Sequence, residues 1–174
     1  TPVANGHAVA DSSRDVLKLA VVNRYAAEST PAVAFVQGFG LERGALASSV
    51  AHDSHNVVAV GTSDAALARA VNAVVQHEGG ISAVGEEADR SRVLPLPIAG
   101  LMSARPYDEV ARRYTRLSEY AQQELGSPME APFMTLSFLS LLVIPQLKLS
   151  DRGLFDGATF AFVDLFPESA PTTP

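Results

Sequence analysis

The sequence predicts an α/β fold in which a mixed β-sheet packs with two main helices in a single domain, with an α+β arrangement as the alternative. Short runs of apolar and β-branched residues alternate with turn residues, as strands require. Two longer segments carry apolar residues at the spacing of an amphipathic helix. Strands are predicted before and after the first helix, which suggests a βαβ unit. A length of 174 residues fits one domain.

Three strands are predicted before the first helix begins. Residues 17–25 are a run of mainly apolar and β-branched residues, and residues 33–37 and 45–50 are shorter runs of the same kind. Three glycines within residues 38–44 separate the second run from the third. Their spacing is one residue too long for a dinucleotide-binding loop and a strand follows them, so we interpret this segment as a turn.

The fourth strand and the first helix follow directly. Residues 57–60 are consecutively apolar, which is typical of a strand covered on both faces, so we expect this strand to be central. Residues 62–64 are Thr, Ser and Asp, which favour a helix N-cap. Apolar residues then recur with helical spacing from Leu67 to Val75, and the glycines at 79–80 end the helix.

A hairpin and a second helix are predicted next. Residues 81–84 and 92–96 are predicted to form a strand pair. The acidic residues of the loop between them, at 86–89, are explained by the exposure of a hairpin loop to solvent. The second helix begins near Pro106 and ends before Gly126, and its polar face carries both Arg and Glu side chains. Such a charged face usually faces solvent.

The last part of the chain has a less regular pattern. Residues 132–145 are apolar without a clear period, so a buried helix turn and a strand both remain open. Residues 160–166 are predicted to close the domain as a strand. We expect the compact domain at residues 16–166, after a linker or disordered end at 1–15 and before a disordered tail at 167–174, since both ends are rich in residues typical of linkers.

Composition excludes several classes of function. The chain has 13 basic and 19 acidic residues, a formal net charge of −6, which disfavours binding to nucleic acids and anionic membranes. Without cysteine there is no disulfide, Cys-ligated zinc or iron–sulfur site, and no thiol nucleophile. No apolar run approaches the ~20 residues of a membrane-spanning helix. Since no export signal is visible, a cytoplasmic location is expected.

The densest polar cluster comprises His52, Asp53, Ser54, His55 and Asn56, between two apolar strands. Two imidazoles three residues apart, with a carboxylate between them, can ligate a metal, which makes His52 and His55 candidate metal ligands. They can also carry a proton while Asp53 fixes the tautomer. A tight turn whose polar side chains cap their own backbone explains the same residues. The residues alone leave these alternatives open.

Four segments together resemble the C-terminal domain of bacterial and archaeal adenine deaminases. They are residues 37–45, 48–56, 94–103 and 132–153, and the resemblance extends in the same order over about residues 15–166. The string from His52 to Asn56 and the string Leu-Pro-Ile-Ala-Gly-Leu-Met-Ser, within residues 94–103, are characteristic of that family. Leu142 stands where the family would have a proline, which affects only the local turn.

The resemblance implies a role within a larger enzyme. Adenine deaminases of this type belong to the amidohydrolase superfamily and convert adenine and water to hypoxanthine and ammonia at a divalent metal (Mn, Fe or Zn) in a TIM barrel. This chain lacks the barrel and its His-x-His motif, so no metal is expected on this chain alone. The implied partners are adenine and a barrel in the same polypeptide or a separate chain, with a homo-oligomer possible.

Two functional hypotheses follow from the sequence. In the first, the chain is a piece of an adenine deaminase, inactive by itself, and the segment from His52 to Asn56 supports or caps the active site near adenine. In the second, it is a stand-alone ligand-binding or interaction module without catalysis. An N-terminal Thr1 and family strings confined to the last portion of an enzyme favour the first hypothesis.

Overall fold

The computed structural model describes residues 3–4, 6–87 and 91–166. The described strands are β1 (Val3–Ala4), β2 (His7–Ala8), β3 (Leu17–Val22), β4 (Ala32–Val36), β5 (Ala45–Ser48), β6 (Val57–Gly61), β7 (Gly80–Val84), β8 (Ser91–Pro95), β9 (Leu147–Ser150), β10 (Gly153–Asp156) and β11 (Ala161–Phe162). The described helices are α1 (Asp64–Gln76), α2 (Tyr107–Gln123), α3 (Pro132–Phe138) and a 3-10 turn (Ser12–Arg14).

Six strands form the main sheet in the order β4-β3-β6-β5-β7-β8. β6 lies inside the sheet and each of its residues is buried, which confirms the prediction of a central strand. The predicted mixed sheet needs one correction, because each hydrogen-bonded pair within this sheet is antiparallel. β5 pairs with both β6 and β7, so those two strands run parallel on either side of it. The predicted βαβ unit is therefore present as β6, α1 and β7, but β5 lies between its two parallel strands, so the unit is split.

Helices cover both faces of this sheet, and side-chain size differs between the faces. β5 shows the alternation: Ala45 and Ala47 pack in the cluster with α1, whereas Leu46 packs in the cluster with α2 and α3. Alanines on the α1 face let the helix approach the sheet closely, and larger side chains fill the other face. The result is three layers, which confirms the predicted α/β class and the single domain.

The helix boundaries follow the predicted signals. Ser63 caps α1, because its Oγ accepts a hydrogen bond from the backbone N–H of Ala66 at 3.2 Å. Pro106 immediately precedes α2, which buries Leu117 and Ala121. The ambiguous segment at 132–145 is resolved: it begins with the short helix α3 and continues as turns. A helix of seven residues followed by turns has too few periods to be recognised from sequence.

A second, three-stranded sheet has the order β11-β10-β9. The strand predicted at 160–166 was too long, since only Ala161–Phe162 pairs in the sheet. Phe160 has φ +55°, a left-handed conformation that interrupts an extended strand. Asp156 anchors the turn before it: hydrogen bonds from Ala158 N and Thr159 Oγ1 to its carboxylate hold the pKa of Asp156 below the ordinary 3.8.

β1 and β2 lie outside both larger sheets. β1 and β2 pair as a two-residue hairpin within the segment predicted as a linker. The boundaries at 1–15 and 16–166 remain predictions, and residues 88–90 and the predicted tail at 167–174 lie outside the described residues. None of the described helices is both long and apolar enough to span a membrane.

Candidate functional site

The polar cluster predicted from sequence forms the loop between β5 and β6, at one end of the main sheet; we call residues 51–56 the histidine loop. The register places this loop beside the segment after β3, because Val22 pairs with Val57. Ser48 pairs with Ile81, so the start of β7 meets the same end. Antiparallel pairing thus brings together segments that are distant in sequence.

The α3 region holds the backbone of the histidine loop from one side. The N–H of His52 donates to the carbonyl of Ser137 at 3.0 Å. The hydroxyl of Ser140 donates to the carbonyl of His52 at 3.0 Å, and Ser140 is 5% exposed. Both polar groups of the His52 backbone are therefore satisfied by the domain.

Within the loop, the backbone of Ala51 determines the role of His55. The N–H of His55 donates to the carbonyl of Ala51 at 2.7 Å, and the N–H of Ala51 donates to Nδ1 of His55 at 3.3 Å. Nδ1 is therefore an acceptor, so a neutral His55 carries its proton on Nε2. His55 has φ +51°, which is compatible with the tight turn predicted as one alternative.

The remaining loop residues divide between buried and exposed. Asn56 is 3% exposed, and its Oδ1 accepts a long hydrogen bond of 3.4 Å from the N–H of Arg24. The hydroxyl of Ser54 accepts from the N–H of Asn56, also at 3.4 Å. Asn56 and Ser54 thus help to form the turn, as expected if polar side chains stabilise their own loop.

His52 and Asp53 are the loop side chains that the described part of the domain does not use for hydrogen bonding. Among the described residues, neither the imidazole of His52 nor the carboxylate of Asp53 has a hydrogen-bond partner, and Asp53 is exposed. The His52 ring packs on Phe138, with ring centroids 4.9 Å apart. Asp53 makes no hydrogen bond to either imidazole here; the Ala51 amide, rather than Asp53, fixes the His55 tautomer.

Sequence reasoning missed the residues that hold the loop from its other side. Asn23, Arg24 and Tyr25 were predicted as the end of a strand, but β3 ends at Val22. The hydroxyl of Tyr25 donates to the carbonyl of Ser54 at 2.8 Å. Three polar residues directly after a buried strand are the sequence signal that could have indicated a role for this segment at the end of the sheet.

Arg24 brings positive charge to this end of the sheet. Its Nη2 donates to the carbonyl of Ala99 at 2.7 Å, and its guanidinium lies over the Tyr25 ring, 4.9 Å from the centroid. No carboxylate pairs with Arg24 among the residues described. Gly100 permits the contact with Ala99, since a Cβ there would collide with the guanidinium. The predicted rigid loop at 94–103 therefore packs against Arg24.

A cleft of about 430 Å³ opens at the same end of the sheet. Arg24, Ser49, Val57 and Glu78 are among the residues that line it. Ser49 directly follows β5 and Val57 begins β6, so the cleft lies at the same end of the sheet as the histidine loop, although none of residues 51–56 lines it. Its lining combines apolar and charged groups, as in sites for small polar ligands.

The two histidines lack the further ligands that a metal centre needs. Their ring centroids lie 6.1 Å apart, and Nδ1 of His55 already accepts a hydrogen bond. In the described parts of the chain, no group of three or more His, Asp or Glu side chains is placed to hold a metal ion. A catalytic metal in proteins typically has three protein ligands. The described residues therefore do not fit the metal that the resemblance implies.

The fold and the loop define a class of domain: three α/β/α layers, with a polar loop whose backbone is hydrogen-bonded to the α3 region and without a metal-binding group in the described part. Comparison with known proteins identifies its family. The sequence-family model of the adenine deaminase C-terminal domain matches residues 1–161, so this chain belongs to that family. The resemblance inferred from sequence is confirmed.

Curated relatives named adenine deaminase cover most of this chain. One from Salinibacter ruber is 78% identical over 166 residues, which are 95% of this chain and 30% of the relative. One from Sulfurovum is 59% identical over 152 residues, 87% of this chain and 28% of the relative. One from Methanosarcina mazei is 51% identical over 95% of this chain and 29% of the relative. The chain thus spans about 30% of the length of such relatives.

Proposed function

We propose that this chain serves the deamination of adenine to hypoxanthine and ammonia, a step of purine salvage, as the C-terminal domain of a complete adenine deaminase. The histidine loop faces the active site of the remaining polypeptide, where it positions adenine or excludes solvent. The divalent metal that the resemblance implies belongs to that remaining polypeptide, since the residues described here do not fit it. His52, Asp53 and His55 are the substrate-proximal candidates; Ser54 and Asn56 shape the loop.

One observation carries the proposal: hydrogen bonds hold the backbone of the loop, while two of its polar side chains have no hydrogen-bond partner among the described residues. Ser137 and Ser140 bind the His52 backbone, yet the His52 imidazole and the Asp53 carboxylate have no hydrogen-bond partner in the described structure. A domain that only had to close a turn would not need these two groups. Loops placed by a rigid scaffold are common positions for binding residues.

The chemistry of the free groups matches a purine. Adenine presents ring nitrogens that accept hydrogen bonds and an exocyclic amino group that donates them. Nε2–H of a neutral His55 is a donor because Nδ1 is already an acceptor. A carboxylate such as Asp53 accepts only, which suits an amino group. The half-buried imidazole of His52 offers either role, depending on its tautomer.

The test uses a full-length chimera in which this chain replaces the matching segment of the Salinibacter ruber adenine deaminase. We expect His52→Ala, His55→Ala or Asp53→Asn to lower kcat/KM for adenine by about 10- to 100-fold, because a lost hydrogen bond to substrate costs about 1.5–3 kcal/mol. Ammonia release measures the rate. His77→Ala is the matched control, since His77 is an exposed histidine at the end of α1.

The result also separates the alternative function. If all three loop variants turn over adenine like the parent chimera, the loop has no role at the substrate. In that case a ligand-binding or interaction module without catalysis becomes the better description of this domain. A drop for His77→Ala of the same size would show a general loss of structure instead.

A further inference from the structure

A continuous stretch of this chain exposes apolar side chains and carries no charge. No Asp, Glu, Lys, Arg or His occurs between Glu130 and Lys148. Within this stretch, five large apolar side chains are exposed, by 38% to 66%; we call them the apolar strip, and they are Met134, Phe138, Val143, Ile144 and Leu147.

The strip is built on structure that the domain itself needs. Phe133 and Leu136 of α3 point into the core, so Met134 and Phe138, four residues apart, share its outer side. Successive turns continue from there: Leu141 N donates to Phe138 O at 3.3 Å, and Ile144 N donates to Leu141 O at 3.2 Å. The strip is therefore held in place rather than being a loose hydrophobic tail.

The outer face of α2 shows what a solvated surface of this chain looks like. It carries the ion pairs Arg112–Asp108 and Arg113–Glu109, with N–O distances of 2.7 and 3.1 Å. Single exposed apolar residues are normal, but several of them along one segment without charged residues are typical of a surface that another protein segment covers. Depletion of charge is also typical of the core of an interface.

We infer that the apolar strip is the surface on which the remaining polypeptide of the adenine deaminase docks. This inference rests on the proposed function, because its occupant is the part of the enzyme that the relatives have beyond this chain. The strip adjoins the histidine loop: Phe138 lies 4.9 Å from the His52 ring, centroid to centroid. A single docked partner therefore covers the strip and receives the loop.

The remaining polypeptide is favoured over a second copy of this chain. The matching segment is 30% of the Salinibacter ruber relative, so in the full-length chimera a much larger remaining polypeptide is covalently attached. Covalent attachment converts docking into an intramolecular event at high effective concentration. A second copy would have to compete for the same apolar surface.

The three methionines of this chain provide the test, because peroxide oxidises accessible methionine to the sulfoxide with release of water. Met134 in the strip and Met102 outside it are similarly exposed, by 53% and 56%. Met129 packs against the core and reports whether the domain is folded. The full-length chimera is treated with hydrogen peroxide, folded and in urea, and each methionine is followed by peptide mass spectrometry.

We expect Met134 of the folded chimera to be oxidised at least about tenfold more slowly than in urea, while Met102 stays close to its rate in urea. Val143→Asp, at the most exposed strip residue, should restore rapid oxidation of Met134 and leave Met129 slow. Tyr107→Asp is the control, because Tyr107 is 87% exposed outside the strip. It should change neither rate.

Two outcomes would overturn the inference. One is rapid oxidation of Met134 while Met129 stays slow, since the strip would then be open in the folded enzyme. The other is protection of Met134 that disappears on dilution as light scattering shows a change from dimer to monomer, since a second copy would then be the occupant. Protected Met134 together with unaffected kcat/KM in the His52 and His55 variants would uphold the docking surface and refute only the proposed function.

Discussion

At the scale of single residues, buried hydroxyls join the loops of this domain to its sheet. Ser49 is fully buried; its Oγ donates to the carbonyl of Gly100 at 2.5 Å and accepts from the N–H of Gly80 at 2.8 Å. One hydroxyl thus ties the loop after β8 to the start of β7. A buried polar group without a partner is costly, so such residues hold the cleft end of the sheet together.

Ser49→Ala should lower the free energy of unfolding by about 1–3 kcal/mol, because the Gly80 N–H and the Gly100 carbonyl both lose a buried partner. The urea midpoint at unchanged m-value measures this loss. Ser12→Ala is the control, since Ser12 is exposed. Equal midpoints for the two variants would show that a water or a shift of the loop replaces the hydroxyl.

At the scale of elements, α1 connects the two halves of the split βαβ unit. Its buried residues include Ala66, Ala70 and Val74, which pack on the alanine-lined face of the sheet. Gly44 shows the same close approach at the strand start, since a Cβ there would collide with the Val84 carbonyl. Small side chains along this layer therefore let α1 lie close to the sheet.

Ser63→Ala should destabilise the domain by about 1 kcal/mol, because the Ala66 N–H at the start of α1 loses its cap. Ser63→Asp should keep nearly full stability, since Asp is an equally good N-cap and its charge suits this end of a helix. Urea unfolding of the two variants side by side provides the measurement. A stability loss for Ser63→Asp as large as that for Ser63→Ala would contradict the capping role.

At the scale of the whole molecule, one end of the main sheet gathers the features that a partner would meet. The histidine loop, Arg24 and the cleft of about 430 Å³ lie there, and the apolar strip adjoins the loop through Phe138. The outer face of α2 instead carries ion pairs typical of solvent. This asymmetry suits a domain that contributes one face to a larger enzyme.

The chain by itself should release no ammonia from adenine, even with added Mn²⁺, Fe²⁺ or Zn²⁺. The reason is that its described residues place no three metal-ligating side chains together, and it spans about 30% of the Salinibacter ruber relative. The full-length chimera under the same conditions is the positive control. Adenine turnover by the purified chain above its background would refute this division of labour.

Most elements of the fold could be predicted from the sequence because their signals are local. The apolar run at 57–60 predicted the central strand β6, and the N-cap and spacing predicted α1. α3 and β11 were harder, because a seven-residue helix and a two-residue strand contain too few periods. The antiparallel pairing of β5 with both β6 and β7 depends on contacts between residues that are distant in sequence, so no local sequence pattern predicts it.

For the candidate site, residue types were easier to predict than contacts. The polar string from His52 to Asn56 was recognisable as a loop between strands. That Tyr25 and Ser140 hold this loop was not, because these contacts join residues that are 29 and 88 positions apart. The tautomer of His55 depends on the hydrogen bond from the Ala51 N–H to Nδ1 of His55, a contact that requires the turn geometry of the folded loop.

Hydrophobic periodicity, turn residues and characteristic strings were enough to predict the α/β class, the polar loop and the family. Which polar groups remain available could be learned only from the packing, which shows that the His52 backbone is satisfied while its imidazole has no hydrogen-bond partner among the described residues. The packing also shows that the charge-free segment after Glu130 exposes the strip beside that imidazole. The physical reason is that hydrogen-bond satisfaction and burial depend on neighbours that are distant in sequence.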